Sequence, residues 1–321
     1  PMLDGTYASP AAINDAGVAV GQASDARQRG YAVRWQRVRG IWSLEKLPGG
    51  LDAIATEINN RGTVVGWRVT SGHVVLWTAQ GRTVDLGPGF PIDLSEQETV
   101  VGSRTNENVP GWMKAEAVLW NQTSSSTWSP ATVLPKFAGE EGSQAYAISA
   151  SGTHILGHAY DANGVELPVR WDLVGGSWQG PRILPNSLWS AAFDINNNGE
   201  VVGSGATCDP RVPPGCGAAA KFWSSNGTLT QLSIPGLVGS HAPRINNAGQ
   251  AIGFAWTEDR QFAFRWSPRT GKFEDLGTLL GDVEYEATDI NSQGQVVGNT
   301  TTVTFIPDFT VRKRPLLWTV R

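Results

Sequence analysis

The side chains best suited to chemistry in this chain are its four histidines, and their spacing argues against a shared metal ion. His154 and His158 stand four apart, the interval at which a helix would present two ligands on one face. Here they flank Ile155-Leu156-Gly157, which reads as a strand, and at about 3.3 Å per residue their Cα atoms lie roughly 13 Å apart. His73 and His241 are expected in separate loops, with no acidic or cysteine companion nearby in the sequence. Asp161-Ala162-Asn163-Gly164 begins like a calcium loop but lacks the third acidic position and the distal glutamate, so it reads as a hairpin turn. The chain contains no Gly-x-Ser-x-Gly elbow, no phosphate-cradling glycine loop and no His-Glu-x-x-His pair. No catalytic residue, metal ligand or cofactor is therefore assigned.

What remains are side chains that can hold a ligand. Trp67, Trp112, Trp189 and Trp256 break the repeat described below, as do Phe90 and Tyr285. Aromatic rings of this kind stack on sugars or anchor a protein partner. Asp52, Glu140, Glu141, Asp282, Glu284 and Glu286 offer carboxylates, a pair of which would suit glycoside hydrolysis. Arg27, Arg29, Arg312, Lys313 and Arg314 offer positive charge to an acidic polysaccharide, or pair with the acids around Glu284. The alternatives are that the aromatics pack between structural units and that the charges are solvated rim.

The elements that position these residues come from a repeat. Ile13-Asn14, Ile58-Asn59, Ile195-Asn196, Ile245-Asn246 and Ile290-Asn291 each precede a glycine turn and a closing glycine, which follows valine in all but Ile252-Gly253. Leu94-Ser95 and Ile148-Ser149 are degenerate copies. The closing glycines at 21, 66, 102, 157, 203, 253 and 298 are separated by 45, 36, 55, 46, 50 and 45 residues, the period of a four-stranded propeller blade. Asn-Asn-Arg-Gly and its equivalents supply the left-handed conformations of a hairpin. A third strand ends in Trp35, Trp77, Trp120, Trp171, Trp223, Trp266 or Trp318. A fourth ends in leucine, with Trp42, Trp128 and Trp178 in its interior as further core candidates.

An all-β, seven-bladed propeller of antiparallel blades follows, because a closed ring leaves only short, protected edges. One domain is expected, with blades near 5–50, 51–88, 89–138, 139–186, 187–236, 237–280 and 281–321. Residues 1–4, which include Met2-Leu3-Asp4, are expected to supply the outer strand that blade 7 lacks.

Asp-Leu-Gly-Thr-Leu-Leu-Gly at 275–281, Asp289-Ile290-Asn291, Val297-Gly298 and Ala263-Phe264-Arg265-Trp266 resemble the HAF-type extracellular repeat of bacterial secreted proteins. The resemblance covers nearly the whole chain and implies an exported or surface-associated propeller; it brings no catalytic residues with it. Tyr31-Ala32, Glu116-Ala117 and Phe262-Ala263 replace the usual His-Ala-Phe opening.

Composition agrees with a turn-rich β protein. Glycine numbers 38 and proline 19, against 17% charged residues. The net charge of -4 argues against nucleic acid or an anionic membrane surface as partner, and no apolar run is long enough to span a bilayer. Cys208 and Cys216 lie in one proline-rich insertion and are expected to form a disulfide in an oxidising compartment. Asn121, Asn226 and Asn299 begin glycosylation sequons that matter only in a glycosylating host.

Function is therefore expected on the face shared by the inter-blade loops and the loops between second and third strands. The ligand-binding candidates are Trp67, Trp112, Trp189, Trp256, Tyr285, Glu284, Glu286, Arg312 and Arg314. The preferred expectation is a monomeric secreted or cell-surface module that binds a glycan or a protein there. An extracellular polysaccharide lyase or glycoside hydrolase using acids with Arg or Tyr is the alternative, and a purely structural unit is the third.

Overall fold

The computed structural model describes residues 2–105, 115–124, 127–187, 190–207, 217–277, 284–304 and 310–318, with backbone alone at 284–285, 301–304 and 310–314. The chain is a seven-bladed β-propeller without helices among these residues. Blade 1 is β1(Ala8–Ile13), β2(Ala19–Ser24), β3(Gly30–Val38) and β4(Ile41–Leu51), paired in that order and antiparallel throughout. Blade 2 is β5(Ala53–Ile58) to β8(Thr83–Pro88), with β6(Val64–Arg68) and β7(His73–Trp77) between. Blade 3 comprises β9(Phe90–Leu94), β10(Thr99–Thr105), β11(Ala115–Ser124), β12(Thr127–Trp128) and β13(Thr132–Val133). In blade 4, β14(Gly142–Ile148), β15(His154–Tyr160), β16(Glu166–Val174) and β17(Ser177–Ile183) repeat the order. Blade 5 holds β18(Ser190–Ile195), β19(Val201–Ala206), β20(Ala218–Trp223) and β21(Leu229–Gln231). Blade 6 holds β22(Gly239–Ile245), β23(Ala251–Trp256), β24(Gln261–Ser267) and β25(Lys272–Asp275). Blade 7 shows three strands, β26(Glu284–Ile290), β27(Val296–Thr304) and β28(Thr310–Trp318).

Each inner strand carries a β-bulge just before its Ile-Asn. The register slips at Ala11, Thr56, Ile92, Tyr146, Phe193 and Thr288, and over Ala242-Pro243 in blade 6. A bulge bends its strand and strengthens the local twist. It also drives the inner backbone against the second strand at the closing glycine. A Cβ on Gly66 would stand 2.0 Å from the Ile54 carbonyl oxygen, and one on Gly253 would stand 1.8 Å from that of His241. The recurrent Val-Gly is thus a demand of backbone proximity.

Between blades lie seven apolar clusters, each receiving a leucine from an outer segment. Leu47, Leu86, Leu134, Leu184, Leu232 and Leu276 enter six of them. The third-strand tryptophans cap several of these plugs. Trp77, Trp171 and Trp223 donate their indole N–H to the carbonyls of Pro48, Pro135 and Pro185, at 2.8, 2.8 and 2.9 Å. These prolines directly follow Leu47, Leu134 and Leu184 in the previous blade. Trp42, Trp128 and Trp178 pack half-buried on three of the clusters, as the repeat predicts.

The seventh cluster, at the seam of blades 7 and 1, receives Leu3 together with Met2. The expected closure at the amino terminus is therefore made with side chains. Residues 2–4 are not in a strand and form no ladder with β28 among the described residues. Instead Gly5 N–H donates to the Ser24 carbonyl at 3.1 Å and Ser24 N–H donates to that of Tyr7 at 2.9 Å, tying the segment to blade 1.

Candidate functional site

Every inner strand runs from the loop face to the face of the asparagine turns, and its two ends are built differently. At the turn end, residues from all seven blades converge on one axial cavity of about 150 Å³. The position before the Ile-Asn pair reads Ala12, Glu57, Asp93, Ala147, Asp194, Arg244 and Asp289 around the ring. Four carboxylates and a guanidinium around one axis look like chemistry, and the hydrogen bonds show what they do.

Asp93 accepts from Leu94 N–H and, across the blade boundary, from Ile148 N–H, each at 2.7 Å. Asp194 does the same for Ile195 at 2.7 Å and Ile245 at 2.8 Å. Asp289 serves Ile290 and Ile13, and Glu57 serves Ile58. Three aspartates and one glutamate thus satisfy the amides that the bulges leave unpaired in all seven blades. Where the next blade supplies alanine, at Ala12 and Ala147, the amide belongs to the previous blade's aspartate.

One turn further out, Asn14, Asn59, Asn196, Asn246 and Asn291 donate through Nδ2 to the carbonyls of Asn59, Ser95, Asn246, Asn291 and Asn14. The Ile-Asn pair is therefore a hoop of hydrogen bonds between blades. Burial pushes the Asp194 carboxyl up to about 7, with Asp93 adding and Arg244 opposing. Burial likewise raises Glu57, Asp93 and Asp289. The cavity opens to solvent and these side chains are only half-buried by exposure, so water moderates the effect.

At the loop end the equivalent positions vary from blade to blade. The residue after the closing glycine is Gln22, Trp67, Ser103, His158, Ser204, Phe254 and Asn299 in turn. Its inner-strand neighbours are Ser9, Ile54, Phe90, Gln144, Ala191, His241 and Glu286. Aromatic or ionisable types stand at these positions in blades 2, 3, 4, 6 and 7, and blade 6 has two of them.

In blade 4 the His158 ring lies 4.6 Å from that of Tyr146, and its Nδ1 contacts Glu166. Tyr146 donates to Gln144 Oε1 at 2.6 Å, and Tyr160 to Glu166 Oε2 at 3.4 Å. Burial lowers the His158 imidazole below its usual range, with Glu166 opposing, and pushes the Tyr146 hydroxyl up to about 12.

In blades 5 and 6 four rings form a row. Phe193 stacks on His241 at 4.7 Å, His241 on Phe254 at 5.2 Å, and Phe254 on Trp256 at 6.0 Å. All four are partly open to solvent. Burial lowers the His241 imidazole while Glu286 opposes, which favours the neutral ring.

The sequence-derived candidates divide unevenly over this geometry. Trp256 ends the aromatic row, and the exposed Glu286 stands beside it electrostatically through His241. Trp67 lies apart in blade 2, edge-on to Phe90 at 5.7 Å. Glu284, Tyr285, Arg312 and Arg314 are placed on β26 and β28 by their backbone. Trp112, Trp189, Cys208 and Cys216 lie outside the described residues, as does Asp282.

The histidine expectations need two corrections. His73 is not a loop residue: it opens β7 and faces Asp85 at 3.0 Å. His241 sits in the inner strand of blade 6, where the bulge turns the chain after it. His154 and His158 do stay apart, the former on Asp172 at 2.7 Å and the latter at Glu166. Asp161 is a turn residue, accepting from the N–H groups of Asn163 and Val165 at 2.8 and 2.9 Å. Arg29 pairs with Asp25 at 2.7 Å, which draws the Asp25 carboxyl down to about 2. Tyr146, Phe193 and Phe254 escaped the sequence reading, although each breaks the repeat as clearly as the unrepeated tryptophans.

No family model and no curated protein matches the chain. Among solved structures, puromycin hydrolase superposes with a TM-score of 0.61 at 13% identity, over 98% of this chain and 54% of that one. The chain thus spans about half the length of puromycin hydrolase. The propeller domain of the Trilobed protease from Pyrococcus furiosus gives a TM-score of 0.59 at 10% identity, covering 100% of this chain and 97% of that one. The polysaccharide lyase Uly1 gives 0.60 at 8% identity, covering 100% and 90%. At these identities the fold is what is shared.

Proposed function

We propose that this propeller is a secreted glycan-binding module whose ligand lies across the loop face of blades 4 to 6. The observation that carries the reading is the row Phe193, His241, Phe254 and Trp256, four stacked rings left partly open on a rigid scaffold. Rings held by a sheet present a flat apolar surface without losing much conformational freedom, which suits the apolar face of a pyranose. Glu286 near His241, and Gln144 and Tyr160 in blade 4, are the polar groups that would exchange hydrogen bonds with sugar hydroxyls. Export is what the HAF resemblance implies, and the disulfide expected between Cys208 and Cys216 fits an oxidising compartment.

A glycan array followed by titration calorimetry tests this. Trp256→Ala should weaken the best glycan by about tenfold, the loss of an interfacial aromatic anchor, and Phe193→Ala should act in the same direction. A wild-type protein that binds no glycan, or variants that bind as well as the wild type, would overturn the reading.

One observation favours an enzyme instead, an extracellular polysaccharide lyase. His158 is kept neutral by burial, backed by Glu166 and placed against Tyr146, and a neutral imidazole is able to take a proton from a sugar carbon. New absorbance from unsaturated uronates on incubation with acidic polysaccharides would decide for it.

A further inference from the structure

Blade 5 contains a buried lysine that its own repeat does not call for. Two residues before the third-strand tryptophan, the seven blades have Val33, Val75, Val118, Val169, Lys221, Phe264 and Leu316. Six are apolar and serve the inter-blade packing. Lys221 is 4% exposed, and its Nζ donates to Ser190 Oγ at 2.8 Å. Among the described residues no carboxylate forms an ion pair with it. A lysine at such a position loses packing and hydration together, so a structural purpose alone would be better served by the valine found in four of the other blades.

The surroundings give the lysine a use. Ser190 begins the inner strand β18 at the loop face and is partly exposed, whereas the amine behind it is sealed. His158 of blade 4 lies against the backbone of Ala192, two residues along the same strand. The serine thus stands at the loop-face end of β18, the strand that meets His158 of blade 4 and carries Phe193 of the aromatic row. Burial holds the Lys221 amine below its ordinary range, which enlarges its neutral, proton-accepting fraction.

We propose that Ser190 and Lys221 form a nucleophile and general-base pair that cleaves a small ester, with an O-acyl group on a bound sugar as the fitting substrate class. Neutral Nζ takes the Ser190 hydroxyl proton as Oγ bonds to the ester carbonyl carbon. The carbon–oxygen bond to the alcohol then breaks, and the alcohol leaves with the proton returned by the Lys221 ammonium. Water, deprotonated by the same amine, attacks the acyl-serine and releases the carboxylic acid and free Ser190. Ester and water are the only reactants, and the pair ends as it began. The sugar in this substrate class rests on the glycan-binding reading, but the serine chemistry does not.

A fluorophosphonate probe with peptide mass spectrometry tests the chemistry without a natural substrate. Stoichiometric adduct on Ser190, with none on the equally strand-borne Ser204, is the expected result. Lys221→Met, which restores the apolar character of the other blades, should slow labelling by about 100-fold, the usual contribution of a general base. Labelling that is absent, spread over many serines, or unchanged in Lys221→Met overturns the proposal.

If Lys221→Met does not fold, the pH profile of wild-type labelling decides. It must rise with an apparent pKa well below that of free lysine, and a featureless profile rejects the pair. A second arm compares p-nitrophenyl acetate with an O-acetylated polysaccharide. Turnover of the first but not the second keeps the serine chemistry and removes the sugar, so failure of the glycan reading is told apart from failure of the dyad.

Discussion

The two ends of each inner strand share one backbone path and obey opposite rules. At the turn end the side chains are committed to the ring itself. Asp93, Asp194, Asp289 and Glu57 close the amides opened by the bulges, and the asparagines tie five of the seven blade junctions. At the loop end the same strands carry serine, isoleucine, phenylalanine, glutamine, alanine, histidine or glutamate at equivalent positions, and the ring closes regardless. The difference teaches that a polar cluster in a propeller must be tested against the backbone before it is read as a site. The axial carboxylates are hydrogen-bond caps. The rings of blades 5 and 6, which cap nothing, are the free material.

Substitutions sharpen that contrast, beginning with the most severe. Gly66→Val should prevent folding or cost about 4 kcal/mol or more, because its Cβ would stand 2.0 Å from the Ile54 carbonyl oxygen, with no side chain to move aside. Denaturant unfolding measures this. A loss under about 1 kcal/mol would show that the bulge relaxes and that the recurrent glycine is dispensable.

Asp93→Ala comes next. It strands the amides of Leu94 and Ile148 in two blades, for an expected loss of about 2–4 kcal/mol. If the variant is as stable as the parent, the carboxylate is not a cap and the axial cavity regains its claim as a functional site.

The third prediction concerns pH. Asp194 titrates near 7 in the folded chain, well above its ordinary value of 3.8, so the native state binds the proton more tightly than the unfolded chain. Stability from this group is fully present below about pH 4 and is lost as pH rises through about 7. The raised carboxyls of Glu57, Asp93 and Asp289 act with the same sign. Lowered carboxyls at Asp25, Asp85, Asp161 and Glu200 act oppositely, but their share changes mainly below pH 4 to 5; the lowered imidazoles of His158 and His241 also act oppositely and offset part of the fall as pH rises towards their ordinary 6.5. Unfolding free energy should therefore fall by on the order of 2 kcal/mol between pH 5 and pH 8, and Asp194→Asn should flatten the slope. A wild-type slope of the other sign would mean that the cavity stabilises ionised carboxylates.

Leu3→Ala should lower stability by about 1–2 kcal/mol, less than a buried leucine elsewhere because Leu3 is only partly covered at the seam. An unchanged thermal midpoint would remove it from the set of seven plugs. The smallest effect belongs to the loop end. Phe193→Thr places at the bulge the residue found at Thr56 and Thr288, and should cost no more than about 1 kcal/mol while weakening glycan binding. A larger loss would mean that the aromatic row holds the fold together after all.

Much of the architecture was legible because it repeats. The blade count came from the glycine spacing, the hairpins from the asparagine turns, and the buried tryptophans from the ends of the third strands. The axial charges were equally visible, as Glu57, Asp93, Asp194, Arg244 and Asp289 before successive Ile-Asn pairs, and attention to what varies at that one position would have found them. The aromatic row was not visible in this way. Phe193 and His241 are 48 residues apart in sequence and belong to different blades. They meet because Phe193 is the bulge residue of β18 and His241 stands just before the bulge of β22 in the next blade.

The sequence by itself therefore determined what recurs: strand, turn, glycine contact and leucine plug. Each is settled by neighbours within one blade or the next, so a local pattern is enough to specify it. Only the tertiary structure decided which carboxylates are occupied by amides, how Leu3 meets the seam, and which rings of different blades touch. Those outcomes depend on ring closure, which brings residues of distant repeats to within hydrogen-bonding or stacking range, and a one-dimensional pattern does not carry that distance.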